Sequence, residues 1–94
     1  MGAYLRLTPA TKDVLQQLYG LREETWGLQL ARLAGRPTGT VYPLLDRLER
    51  EGFVASRWET DSGRAGPRRR LYVLTPKGRE WVQQKLKLNA EDAS

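Results

Sequence analysis

The first regular pattern in the chain begins at Thr8-Pro9, a hydroxyl followed by proline, which predicts a capped helix start. Leu7, Val14, Leu15, Leu18 and Leu21 then form an apolar stripe, with Gly20 as the stop. Arg22-Glu23-Glu24 reads as a polar connection. Thr25 is expected to cap a second helix, in which Trp26, Leu30 and Leu33 recur at i, i+4 and i+7 and which Gly35 closes. The third helix has the clearest pattern. Thr38 is its expected cap, Val41, Leu44, Leu45 and Leu48 fall at i, i+3, i+4 and i+7, and Gly52 lies just beyond the charged end. Gly35-Arg36-Pro37 leaves room only for a sharp turn, so the second and third helices must cross steeply, as in a helix-turn-helix.

The period then changes. Residues 53–58 and 70–74 are rich in β-branched and aromatic side chains and predict two strands. Between them, Asp61-Ser62-Gly63 and Ala65-Gly66-Pro67 are turn signals, which gives a hairpin with a long tip. Thr75-Pro76 repeats the cap-plus-proline start, and a last helix is expected through Trp81, Val82 and Leu86 to about Leu88. The chain is thus expected to be one domain, 1–88, with a polar, disordered tail at 89–94. The expected fold class is mainly α with a small β-hairpin, in the order helix-helix-helix-strand-strand-helix. That is a winged helix-turn-helix layout. A lone hairpin is marginal in water, so these strands must lean on the helices.

With 94 residues there is room for a single small core. The 39% hydrophobic and 29% charged content excludes wholesale disorder. There is no cysteine and no histidine, which removes disulfides, thiol nucleophiles, zinc fingers and an imidazole general base. Apolar runs are only a few residues long, so neither a bilayer span nor a signal-peptide core is expected, and a cytoplasmic location is. No cofactor and no metal are expected.

The net charge of +5 is concentrated. Residues 57–79 carry +5 by themselves, whereas 1–56 carry +1 and 80–94 carry −1. Twelve of the sixteen basic residues are arginine, whose planar fork suits phosphates and guanine edges. A solvated basic loop would also account for the composition, but so one-sided a field points first to a polyanion.

On the third helix, Thr40, Pro43, Arg47 and Arg50 lie at i, i+3, i+7 and i+10, away from Leu44 and Leu48. Thr38, Gly39 and Thr40 are small and polar, so a partner's backbone or base edges could approach closely, and the helix amino end favours phosphate. Asp46, Glu49 and Glu51 make the carboxyl half slightly negative, so only the amino half should lie deep against a nucleic acid. Arg64 at the hairpin tip and Arg68, Arg69 and Arg70 on its return strand can reach phosphates or a minor groove beside the site. An amphipathic helix whose polar face only meets water, next to a flexible loop, is the alternative.

Trp26-Gly27-Leu28, then Gly39-Thr40-Val41-Tyr42-Pro43-Leu44-Leu45, then Arg47-Leu48-Glu49-Arg50-Glu51-Gly52-Phe53-Val54 and Trp58-Glu59 resemble the PadR family of bacterial transcriptional regulators. The run Gly66-Pro67-Arg68-Arg69-Arg70-Leu71-Tyr72-Val73-Leu74-Thr75-Pro76-Lys77-Gly78 is similar to that family's second wing strand and last-helix start. The resemblance covers roughly residues 25–80, with helix, wing and last helix in the family's order. Trp26 stands where the family usually has tyrosine before glycine. The chain is expected to belong with the short members, which lack a long carboxyl-terminal dimerisation and effector region.

The resemblance implies a dimeric repressor on a palindromic operator. Thr38, Gly39, Thr40, Tyr42 and Pro43 would then lie in or beside the major groove, with the hairpin arginines flanking it; Arg36 and Arg47 are also expected to bind DNA. The first and last helices are expected to form the dimer through Leu15, Leu18, Trp81, Val82 and Leu86. Trp81 is similar to a tryptophan against which some short members bind flat aromatic effectors between their subunits. A winged helix used only for protein–protein contact is the rival function, and it predicts little salt dependence. An enzyme is not expected, because the acidic residues are scattered among arginines rather than paired for catalysis.

Overall fold

A computed structural model of the chain describes residues 7–60, 63 and 65–86. Arg64, residues 87 and 88 of the expected last helix, and the 89–94 tail lie outside the described residues. The first helix, α1 (Pro9–Gly20), starts as its sequence requires. The Thr8 hydroxyl accepts the Thr11 N–H at 3.1 Å, and Pro9 takes a position where a missing N–H does no harm. Val14, Leu15 and Leu18 point into the core.

The next segment departs from expectation. Thr25 does not cap a helix. Thr25 and Trp26 form a two-residue strand, β1 (Thr25–Trp26), and the helix α2 (Gly27–Ala34) begins after it without a side-chain cap. The buried Thr25 hydroxyl donates instead to Gln29 Oε1 at 2.6 Å. Gly35 ends α2 in the left-handed region (φ 67°), which lets the Arg36 N–H bond the Ala31 carbonyl at 3.0 Å.

The third helix, α3 (Thr38–Arg50), is capped by Pro37 rather than Thr38. The Pro37 carbonyl accepts from Thr40 N–H and Val41 N–H, and Thr38 sits within the first turn. Val41, Leu45 and Leu48 are fully buried and Leu44 is half-buried, so the predicted stripe faces inward.

The hairpin consists of β2 (Val54–Trp58) and β3 (Arg70–Leu74), paired antiparallel from Val54↔Leu74 to Trp58↔Arg70. A bond from the Glu59 N–H to the Arg69 carbonyl at 2.8 Å carries the pairing one step further. Because β1 pairs with β3 through Thr25↔Tyr72 and Trp26↔Leu71, the sheet has three strands in the order β1-β3-β2. The wing is therefore fastened along both sides of β3.

The last helix, α4 (Pro76–Leu86), is capped by Thr75, whose hydroxyl accepts the Gly78 N–H at 2.9 Å and donates to the Gly52 carbonyl at 2.7 Å. Gly78 lies directly on the Phe53 backbone, with no space for a side chain.

The dimer expectation needs correction here. Leu15, Leu18 and Val82 are 0%, 2% and 0% exposed within the single chain, so they cannot also form a surface for a partner. Trp81 stacks on Phe53 with ring centroids 4.8 Å apart, and Leu86 packs half-buried on the same core. In a domain this small, the apolar stripes of α1 and α4 are needed to close its own interior.

Candidate nucleic-acid interface

The amino-terminal half of α3 presents the expected residues outward. Thr38, Gly39, Tyr42 and Pro43 are exposed and Thr40 is half-buried, while Val41 between them is fully buried; Arg47, exposed too, lies in the carboxyl half. Pro43 has no N–H to give the Gly39 carbonyl, so α3 lacks that one i to i−4 bond. Tyr42 is held in place by α2, because its ring covers Gly27 so closely that a Cβ there would overlap it.

The wing brings its arginines to the same side. Tyr42 of α3 and Arg68, Arg69 and Arg70 of the wing border one open cavity of about 440 Å³. Its remaining walls include Trp26, Leu28, Trp58 and Tyr72. Burial pushes the Tyr72 hydroxyl above its ordinary range, an effect partly offset by Arg70, so the phenol is neutral at physiological pH.

The basic side chains differ in what they already hold. The Arg69 guanidinium lies 3.9 Å from the centre of the Trp26 ring. Arg70 sits 5.3 Å from the Trp58 ring and 3.8 Å from Glu49 Oε2, and that carboxylate also accepts the Ser56 hydroxyl at 2.6 Å. Arg68 and Arg47 have no acidic partner among the described residues. Arg36 is different. Its Nε and Nη2 both donate to Asp13 Oδ2, at 3.0 and 2.7 Å, which ties the α2–α3 turn to α1. Arg57 is likewise taken up by Glu24 in a two-pronged pair of 2.7 and 2.6 Å. That hydrogen bond lowers the Glu24 pKa from its ordinary range and raises that of Arg57.

Sequence reasoning missed Trp26, Leu28 and Trp58 as walls of the cleft. Trp26 and Leu28 meet the wing only because β1 pairs with β3, a contact more than forty positions away along the chain. Trp58 carried a signal that was available: a large aromatic side chain at the open end of a strand, beside an arginine-rich return. Among the described residues no group of three acidic side chains could hold a metal ion, and no helix is long and apolar enough to cross a membrane.

Two packed helices joined by a three-residue turn, a sheet that fastens an arginine-bearing wing, and an exposed helix face beside it define a winged helix-turn-helix protein. Comparisons with known proteins narrow this class. The description "Transcriptional regulator PadR-like family" matches residues 14–84. A probable transcriptional regulator from Pseudomonas aeruginosa is 30% identical with a TM-score of 0.71, the match covering 86% of this chain and 57% of that one. A PadR family transcription regulator from Clostridium difficile R20291 is 23% identical with a TM-score of 0.67, covering 81% and 83% of the two chains. Bordetella bronchiseptica BpsR, described by a mechanism for regulation of its DNA binding by 6-hydroxynicotinic acid, is 23% identical over 87% of this chain and 55% of its own, with a TM-score of 0.72. The last two show the shared fold. No curated protein matches the chain. The chain belongs to the PadR-like family of transcriptional regulators, a family of regulators and not of enzymes.

Proposed function

We propose that this chain binds duplex DNA sequence-specifically as a homodimer on a palindromic operator and acts as a repressor in the cytoplasm. The observation that carries the reading is the shared cleft: Tyr42 of α3 and Arg68, Arg69 and Arg70 of the wing face one space. With the amino half of α3 in a major groove, Thr38, Gly39, Thr40, Tyr42 and Pro43 meet base edges and the neighbouring backbone. The wing arginines then lie along the flanking phosphates, where contacts fix register and add affinity without reading sequence. Arg64, outside the described residues, belongs to the same proposal by its position in the sequence between the two wing strands. Arg36 contributes by holding the turn through Asp13 rather than by reaching the DNA.

A small aromatic effector seated between subunits would have to use the edge or outer face of Trp81, since Phe53 covers its other face. A winged helix serving only protein contacts leaves the arginine cluster without a role. The deciding experiment is selection of bound duplexes from a random pool. Two inverted half-sites about one helical turn, or roughly 34 Å, apart are expected. A pool that stays random overturns sequence specificity, and a single asymmetric site overturns the dimer.

A further inference from the structure

The cleft between α3 and the wing carries more apolar surface than a phosphate site requires. Four large apolar side chains are exposed among the described residues, and three of them, Leu28, Tyr42 and Trp58, border this cleft. Trp58 is the most exposed at 57%. Phosphate attraction depends on charge and counterion release, so these side chains add nothing to it. A cluster of exposed apolar groups marks a surface that something covers.

Trp58 also has a cation beside its ring. It pairs across the hairpin with Arg70, whose guanidinium lies 5.3 Å from its ring and is drawn towards Glu49 on α3. An exposed indole therefore borders the same cleft as Tyr42 of α3 and Arg68, which has no acidic partner among the described residues. The covering surface must alternate anionic and apolar groups at short range. A nucleic-acid backbone does this, because each phosphate is flanked by a sugar with an apolar face.

We propose that the cleft seats the sugar–phosphate backbone of one DNA strand, with Trp58 and Leu28 against deoxyribose while Arg68 holds an adjacent phosphate. Part of the affinity is then non-ionic. This inference rests on the duplex-DNA reading above and adds to it a class of contact that charge cannot supply.

The test measures dissociation constants of the full chain for a mixed-sequence duplex of about three helical turns (roughly 30 bp) across a series of salt concentrations. Wild type, Trp58→Ala, Trp58→Phe and Arg68→Ala are compared after circular dichroism has confirmed that each is folded. Trp58→Ala should bind about fivefold to tenfold more weakly at every salt concentration, giving a line parallel to wild type in the log–log plot. Trp58→Phe should recover most of the loss. Arg68→Ala should instead flatten the line. Equal affinity of Trp58→Ala and wild type throughout would overturn the proposal and leave the cleft to a protein partner or a small aromatic anion. A changed slope in Trp58→Ala would overturn it too, since the indole would then act only by placing Arg70. Failure of the wild type to bind with any salt dependence would remove the DNA reading itself, and it is observed independently of the Trp58 variants.

Discussion

Gly27 and Tyr42 share one volume: a Cβ on Gly27 would lie 2.8 Å from the Tyr42 hydroxyl and closer still to its ring. The phenol that α3 offers to the cleft is thus aimed by the absence of a side chain on α2. Gly27→Ala must move the ring, because neither helix start can yield easily. Its expected effect is selective. Discrimination between operator and random duplex should fall by about 1 kcal/mol, the low end for one good base contact, while binding to random duplex changes little. Competition binding with both duplexes checks this, and an equal loss on both would show that Tyr42 only positions the helix.

Two arginines that look alike in sequence should behave in opposite ways. Arg68 is exposed and has no acidic partner among the described residues, so Arg68→Ala should weaken binding to all duplexes and reduce the salt slope by about one. Arg36 is paired with Asp13, and the two side chains are 33% and 40% exposed. Arg36→Ala should leave the slope alone and lower stability by no more than about 1 kcal/mol, given how much water reaches the pair. Salt titrations and urea denaturation separate the two.

The contrast between those arginines shows where sequence reading works and where it stops. Local signals were legible. Thr8-Pro9 and Thr75-Pro76 cap helices through their own hydroxyls, and Val41, Leu45 and Leu48 face inward as their spacing requires. Both hairpin strands are where the β-branched and aromatic residues put them. What failed was non-local. Thr25-Trp26 is too short to show a period, and only Leu71 and Tyr72 make it a strand. Arg36 reads as a free cation until Asp13, twenty-three positions earlier, is placed beside it. The apolar stripes of α1 and α4 do not say whether they close a monomer or join two. At the site, the sequence marked the outward helix face and the arginines, but not the aromatic walls of the cleft, which depend on β1 meeting β3.

Glycines in two helices predict opposite stability effects. At Gly78 an added Cβ would overlap the Phe53 carbonyl oxygen and lie 2.9 Å from Phe53 Cα, both backbone atoms that cannot turn aside. Gly78→Ala should therefore push α4 away from the Phe53 backbone and destabilise the fold by about 2 kcal/mol or more. Gly39 in α3 has nothing within 4 Å of such an atom. Gly39→Ala should be neutral or stabilising by up to about 1 kcal/mol, from helix propensity alone. Thermal melts of both variants measure the contrast.

The Glu24–Arg57 pair sets an acid dependence with a definite sign. The Arg57 hydrogen bond holds the Glu24 pKa below its ordinary value, so the folded state favours the carboxylate. The pair's contribution is fully present above the ordinary glutamate value of roughly 4.3. It is lost as the pH falls through the lower folded-state value. Wild type should thus have a higher urea midpoint than Glu24→Gln near neutrality, and the two should converge as acid protonates Glu24 in the folded state. A gap that persists unchanged in acid would show that the glutamine variant loses something other than the ion pair.

The proposed dimer must use a surface other than the buried Leu15, Leu18 and Val82. Leu15 and Val82 are both 0% exposed, so their truncation opens cavities inside one chain. Leu15→Ala should destabilise by about 2–5 kcal/mol, yet below its melting temperature it should sediment with the wild-type mass. The outward sides of α1 and α4 carry Lys12, Gln16, Gln83 and Gln84, and a contact built on them would be more polar than a domain core. Sedimentation equilibrium at micromolar concentration, with and without duplex, should give the mass of two chains. A monomer in both conditions would remove the dimer, and with it the reason to expect an inverted repeat in the selected DNA.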